Sequence, residues 1–245
     1  MKRILRLIVM VPVAAFWAQT PSGDEILKKV DLNMFSENKV VTAGMVIHGR
    51  RGSRSVEAKS WQRGTTDAFT EYLAPARDRG TKMLKLVNQL WTYTPSTDRI
   101  IMISGHMLRQ SVMGSDLSYE DMMEDPRLEN LYSVKVSAEE NVNGRGCWVC
   151  DLTAKREDIA YFSRKIWVDR ERFVVLKENL YAKSGRLLKT LDVREVAQVQ
   201  GRWVAKSVLY KDVLKEGEGT EFLVKSIVFD AAVPDYLFSK ASLRK

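Results

Sequence analysis

RFVVLKENLYAKSGRLLKTLDVREVAQVQGRWVAKSVLYKDVLKEGEGTEFLVKSIVF, residues 172–229, alternates apolar and polar side chains in runs separated by turn residues. The runs are 172–181, 188–196, 203–210 and 221–229. The breaks are Lys183-Ser184-Gly185, Gln200-Gly201 and Glu216 to Gly219. In LDVREV, Leu191 and Val193 oppose Asp192 and Arg194. A period of two means a strand with one buried and one wet face. Evenly spaced strands joined by short turns predict an antiparallel meander. Upstream, Asn143-Gly144 is a hairpin signal, followed by WVCDL (148–152) and KIWV (165–168), which extend the same meander.

Toward the N-terminus the period changes. Ser22-Gly23-Asp24-Glu25 is a capping box, and Ile26, Leu27, Val30 and Met34 follow at helical spacing, so an amphipathic helix is expected over 23–36. In SVEAKSW (55–61), Val56 and Ala58 alternate with Glu57 and Lys59, a half-solvated strand. Residues 104–130 read differently from both flanks. Ser118 to Asp121 repeats the capping-box pattern, His106 to Met113 suits a short helix, and Pro126 is expected to end the region. The reading is mainly β (α+β): a large curved antiparallel sheet, one N-terminal helix and a short helical insertion between two groups of strands. No long linker, repeat or low-complexity tract divides it, so one domain is expected.

The first 18 residues read as an export signal. Lys2, Arg3 and Arg6 precede an uncharged, mostly apolar run from Leu7 to Ala18, with small residues at Ala14, Ala15 and Ala18 for cleavage. Twelve helical residues rise only about 18 Å, short of a bilayer's hydrocarbon core of about 30 Å. The expectation is a signal peptide over 1–18 and a periplasmic domain over 19–245. The first cysteine is Cys147, so the lipid-bearing cysteine that follows cleavage in a bacterial lipoprotein is not expected. Loss of Lys2, Arg3 and Arg6 lowers the formal charge from +8 to +5. That modest excess suits contact with anionic lipid surfaces. Basic residues are scattered among acids, which argues against nucleic-acid binding.

No enzyme is legible. His48 and His106 are the only histidines and neither has a second ligand at metal spacing. Ser36-Glu37-Asn38-Lys39 matches a hydrolase-like Ser-x-x-Lys without that chemistry's other motifs. The acids Glu120, Asp121, Glu124 and Asp125 lack calcium-loop spacing and read as a solvated helix face. Cys147-Trp148-Val149-Cys150 invites a redox reading, but it falls in a strand, where positions i and i+3 point to opposite faces. Cys150 is expected inside with Trp148 and Leu152, and Cys147 outside with Asp151. Two unpaired thiols, a disulfide across an irregular strand and a redox pair all remain open. No cofactor is expected.

The stretch Tyr72 to Met123 is apolar and rich in methionine and aromatics. Within it, PARDRGTKMLK (75–85), LWTYTPSTDRII (90–101) and RQSVMGSDLSYEDM (109–122) resemble the outer-membrane lipoprotein-sorting proteins of the LolA-like family. The resemblance implies an incomplete β-barrel whose concave face is lidded by helices over an apolar cavity. It also implies a non-enzymatic periplasmic carrier, a chaperone for acyl chains of lipoproteins or phospholipids passing between membranes. Trp91, Tyr93, Met102, Met107, Leu108, Met113 and Leu117 are the expected cavity residues. Methionine suits such a wall because it is unbranched and conformationally loose. Arg77 and Arg79 are the expected charged lip. An adaptor that senses lipid or lipoprotein, or an accessory subunit of an inner-membrane transporter, is the rival reading.

Overall fold

The computed structural model describes residues 20–50 and 52–245. The expected signal segment lies outside the described residues. Helix α1 (Gly23–Met34) starts at the Ser22 cap, where both halves of the capping box form. Ile26 and Leu27 on its inner face are fully buried, which stabilises by about 1.5–3 kcal/mol each. Asn33 anchors the helix end, its amide donating to the carbonyls of Arg172 and Phe173, both at 2.9 Å. Among the described residues no helix is long and apolar enough to cross a membrane.

Six strands follow: β1 (Asn38–Gly49), β2 (Gly52–Arg63), β3 (Asp67–Ala74), β4 (Lys82–Leu86), β5 (Gln89–Thr94) and β6 (Arg99–Ile103). The insertion then carries two 3-10 turns, Gly105–Arg109 and Val112–Gly114, and the short helices α2 (Tyr119–Met123) and α3 (Leu128–Leu131). Seven strands complete the sheet: β7 (Tyr132–Val142), β8 (Arg145–Ala154), β9 (Ser163–Asp169), β10 (Val175–Tyr181), β11 (Leu187–Val199), β12 (Arg202–Asp212) and β13 (Gly219–Phe229). All thirteen form one antiparallel sheet, in the order β6-β5-β4-β3-β2-β1-β13-β12-β11-β10-β9-β8-β7. The expected curved sheet with a helical insertion is therefore present, as an open sheet that does not close into a barrel.

This order determines where the insertion must go. β6 and β7 are the two edges of the sheet, and residues 104–131 join them, so the insertion has to cross a face. The face is identified by direct cross-strand partners: Met45 opposes both Val56 and Phe222, Phe222 opposes Val208, and Val208 opposes Val193. Two and four residues before Val193 on β11, Leu191 and Lys189 share its face, and Lys189 opposes Leu180, which opposes Arg164. α1 covers the far end of this inner face, packing on Trp148, Cys150, Leu152 and Ile166. The opposite face at β3–β5 is covered by the C-terminal segment, where Leu237, Phe238 and Leu243 pack on Phe69, Leu84 and Trp91.

Three local expectations are corrected. His106 to Met113 is not one helix, because Gln110 and Ser111 are extended and separate two turns, and Met113 inside the second adopts a left-handed φ of 49°. Pro126 does not end the helical region: α3 follows, its first N–H groups at Leu128 and Glu129 donating to the Asp31 carboxylate at 3.1 and 3.0 Å. That contact pairs positions 97 and 98 residues apart and is invisible locally. Finally, Cys147 is not outside. Cys147 and Val149 are buried with Trp167 and Val174, a core separate from that of Cys150. The indole of Trp167, opposite Val149, shields this outer face, and its N–H donates to Glu140 at 2.7 Å. Both cysteines are free thiols, and burial pushes Cys150 up to about 11.

Candidate functional site: a lidded apolar chamber

A cavity of about 280 Å³ lies between β1–β3 and the insertion. Its floor is built from opposed rows in which small side chains predominate. Val41, Ser60 and Thr70 form one row across β1, β2 and β3, and Ala43, Ala58 and Tyr72 the next. Met45, Val56 and Phe222 close one end, and Gln62 with Ala68 the other. Side chains this small cannot reach the insertion that crosses above them, so a void remains where a packed core would otherwise close. The lining is mostly apolar, with Ser60, Gln62 and Thr70 as its polar members. The roof is supplied by Val112, Leu117 and Met122.

The middle of the roof is tied to the β12–β13 hairpin. The buried Asp116 accepts from the Thr220 hydroxyl at 2.7 Å and from the Asp212 N–H at 3.0 Å, and its own N–H donates to Thr220 at 3.0 Å. Lys215 donates to the Ser115 carbonyl at 2.6 Å and to the Ser111 hydroxyl. The hairpin reaches this position through Gly217, whose φ is +98° and where a Cβ would stand 2.4 Å from the His48 carbonyl oxygen. Only glycine tolerates that approach.

α2 is held differently, by charges. Asp121 pairs with Lys189 and accepts from the Tyr161 hydroxyl at 2.5 Å. Glu124 pairs with Arg164, which also donates to Glu178 at 2.9 Å. Burial pushes Asp121 up, but Lys189, the Ser118 N–H and Tyr161 outweigh it and hold the carboxyl below the usual carboxylate range. Burial raises Glu178 despite Arg164. Burial also works against the Arg164 charge, yet Glu178 and Glu124 hold it above the ordinary guanidinium value. The ammonium of Lys85 on β4 donates to the carbonyls of Met122 and Met123, at 3.3 and 3.1 Å. The acidic stretch is thus not a solvated helix face. Spacing of i, i+3 points Asp121 and Glu124 to the same side of α2, and their partners lie 68 and 40 residues away on strands.

The chamber leads outward. Gln62, Ala68 and Met122 also line a polar recess of about 210 Å³, with Thr65, Lys85, Glu124 and Asp125. Those last four in turn border an outer hollow of about 500 Å³ reaching Arg156 and Ala160. The capping box that starts α2 therefore positions Met122 at the boundary between apolar chamber and polar recess.

Of the residues expected at the cavity, Leu117 lines the chamber. Met107, Leu108 and Met113 pack against the same apolar cluster from the insertion, and Leu108 borders the outer hollow. Trp91 and Tyr93 are elsewhere, packed with the C-terminal segment on the opposite face. Met102 is opposite Trp91 at the β6 edge and 44% exposed. Arg77 pairs with Asp78 at 3.2 Å and Arg79 donates to the Leu73 carbonyl at 3.0 Å, so both are engaged in their own turn. The floor went unread in sequence, although Ala43, Ala58 and Ala68, small residues on the buried face of three strands, are the signal that marks it.

A comparison with curated proteins found no match. The model of a family described as uncharacterized proteins matches residues 64–245. Among solved structures, a DUF1329 family protein from Desulfovibrio piger is 24% identical, with 90% of this chain and 97% of that one covered and a TM-score of 0.81. A domain named for outer membrane lipoprotein sorting, from Vibrio parahaemolyticus, is 22% identical over 91% of this chain and 98% of its own, with a TM-score of 0.77. A LolA superfamily protein from Nitrosomonas europaea is 22% identical over 91% of this chain and all of its own (100%), with a TM-score of 0.76. The chain belongs to the family whose model spans residues 64–245, and its fold is that of the LolA-like lipoprotein-sorting proteins.

Proposed function

We propose that this protein is an exported periplasmic carrier that binds acyl chains in the chamber beneath its insertion and moves them between membranes, by binding and not by catalysis. The observation that carries the proposal is the void itself: an apolar chamber with a floor of small side chains and a roof that includes methionine. At about 30 Å³ per water-sized group, the chamber takes a tail of about nine carbons. Burial at about 0.8 kcal/mol per methylene then stabilises by about 7 kcal/mol before ordering costs. With the ordering costs still to be subtracted, about 10 μM is the tightest dissociation constant this burial alone supports.

Release requires part of the lid to move. The segment 111–118 is tied to the hairpin, so α2 is the moving part, latched by Asp121, Glu124 and Lys85 at the chamber's mouth. Gly105 and Gly114, with φ of 54° and 67°, mark where the insertion bends. The test is native mass spectrometry of the mature protein from a Gram-negative periplasm, with organic extraction of what it carries. Co-purifying phospholipid or acylated peptide supports the carrier. An empty protein that takes up no fluorescent fatty acid refutes it and favours the adaptor.

A further inference from the structure

Resting on that reading, we infer that the chamber accepts one acyl chain at a time, so the cargo is a single-chain amphiphile whose tail fills the chamber and whose head occupies the polar recess. A chain of sixteen carbons needs about 480 Å³ at about 30 Å³ per group. The chamber of about 280 Å³ therefore holds the terminal nine or so carbons of one such chain with no space for a second, and the rest of the chain and its head extend into the recess of about 210 Å³.

The chamber cannot widen along the sheet. Toward β11 the same inner face carries the buried Lys189, Arg164 and Glu178, of which Lys189 pairs with Asp121 on α2, Arg164 with Glu124 at its C-terminal end, and Glu178 with Arg164. A second chain there would have to lie against desolvated charges and separate them from their partners. Beyond these, α1 fills the remaining inner face with Ile26 and Leu27. Toward β4–β6 the floor residues Met83, Leu90 and Ile103 are already covered by the insertion. Upward, the roof stretch 111–118, which α2 does not move, is tied to the hairpin through Asp116 and through Lys215 of the hairpin itself. What opens when α2 swings is the end of the chamber at Met122, and it opens into the recess. The recess offers Gln62, Thr65 and Lys85 to a polar head and bears acids on its other side, a lining hostile to a further hydrocarbon tail.

The experiment titrates the delipidated mature protein, by native mass spectrometry, with four probes: palmitate, sixteen-carbon lysophosphatidylethanolamine, dipalmitoyl phosphatidylethanolamine and a tripalmitoylated cysteine peptide. The inference expects one equivalent of palmitate or of lysolipid, mutually displacing, with the two- and three-chain probes at least ten-fold weaker. Filling the floor with Ala58→Trp, or more gently with Ala43→Leu, should weaken the single-chain probes ten-fold or more while circular dichroism stays unchanged. Two equivalents of palmitate lost together in those variants overturn the inference. So does binding of either multi-chain probe as tightly as the lysolipid, and both outcomes leave the carrier reading standing. Failure of all four probes to bind overturns the carrier reading along with it.

Discussion

Lys39, near the start of β1, donates its ammonium to the Met34 carbonyl at 3.1 Å and is buried. Burial, reinforced by Arg202, lowers its pKa to about 8. The unfolded chain therefore holds this proton more tightly than the folded one between about pH 8 and 10.5. The penalty is present in full below about 8 and is relieved as pH rises toward 10.5. Lys39→Met should accordingly raise stability at pH 7 by up to about 3 kcal/mol, at about 1.4 kcal/mol per unit, and the gain should shrink above pH 8. Urea denaturation at pH 7 and pH 9.5 measures it. A variant no more stable than the parent at pH 7 contradicts this account of Lys39. The thiols give a second expectation at this scale. With burial raising Cys147 and pushing Cys150 to about 11, only about one Cys150 in a thousand is ionised at pH 8. Neither should react with a maleimide until the protein is unfolded, and rapid native labelling of either contradicts its burial. The placement of Cys150 was legible from alternation. That of Cys147 was not, because alternation says which side a residue faces and not what covers it.

At the scale of elements, α2 concentrates the problem of reading this chain. Its capping box was legible because Ser118 and Asp121 lie within one turn. The ion pairs that hold it were not, since Lys189 and Arg164 come from distant strands that meet it only through the sheet order. Removing one member of a buried pair leaves the other uncompensated, at a cost of about 3–5 kcal/mol, whereas replacing both costs far less. Asp121→Ala and Lys189→Met should each destabilise by that amount, and the double variant should fall well short of the sum. A double-mutant cycle in urea measures the coupling. Additive losses would mean that the pair does not hold α2. The two strand meanders were legible from turn residues and alternation. The pairing of β1 with β13 that joins them was not, because no local signal records which strands become neighbours at opposite ends of a chain.

For the whole molecule, the consequence of that pairing is the site. Joining β1 to β13 leaves β6 and β7 as edges, forces the insertion across the inner face and roofs the alanine-rich floor. The expected aromatic wall failed for a related reason: Trp91 and Tyr93 do lie on one strand face, but it is the face the C-terminal segment covers. Ala58→Trp should occupy the chamber and cut acyl-chain uptake at least ten-fold with stability changed by no more than about 3 kcal/mol, the usual range for an added core side chain. The most direct test of the chamber is a crystal structure of the mature protein soaked with a terminally brominated fatty acid. An anomalous peak between the insertion and the rows of Ala43, Ala58 and Thr70 is the predicted result, and bromine found only on the outer surface or along α1 contradicts it.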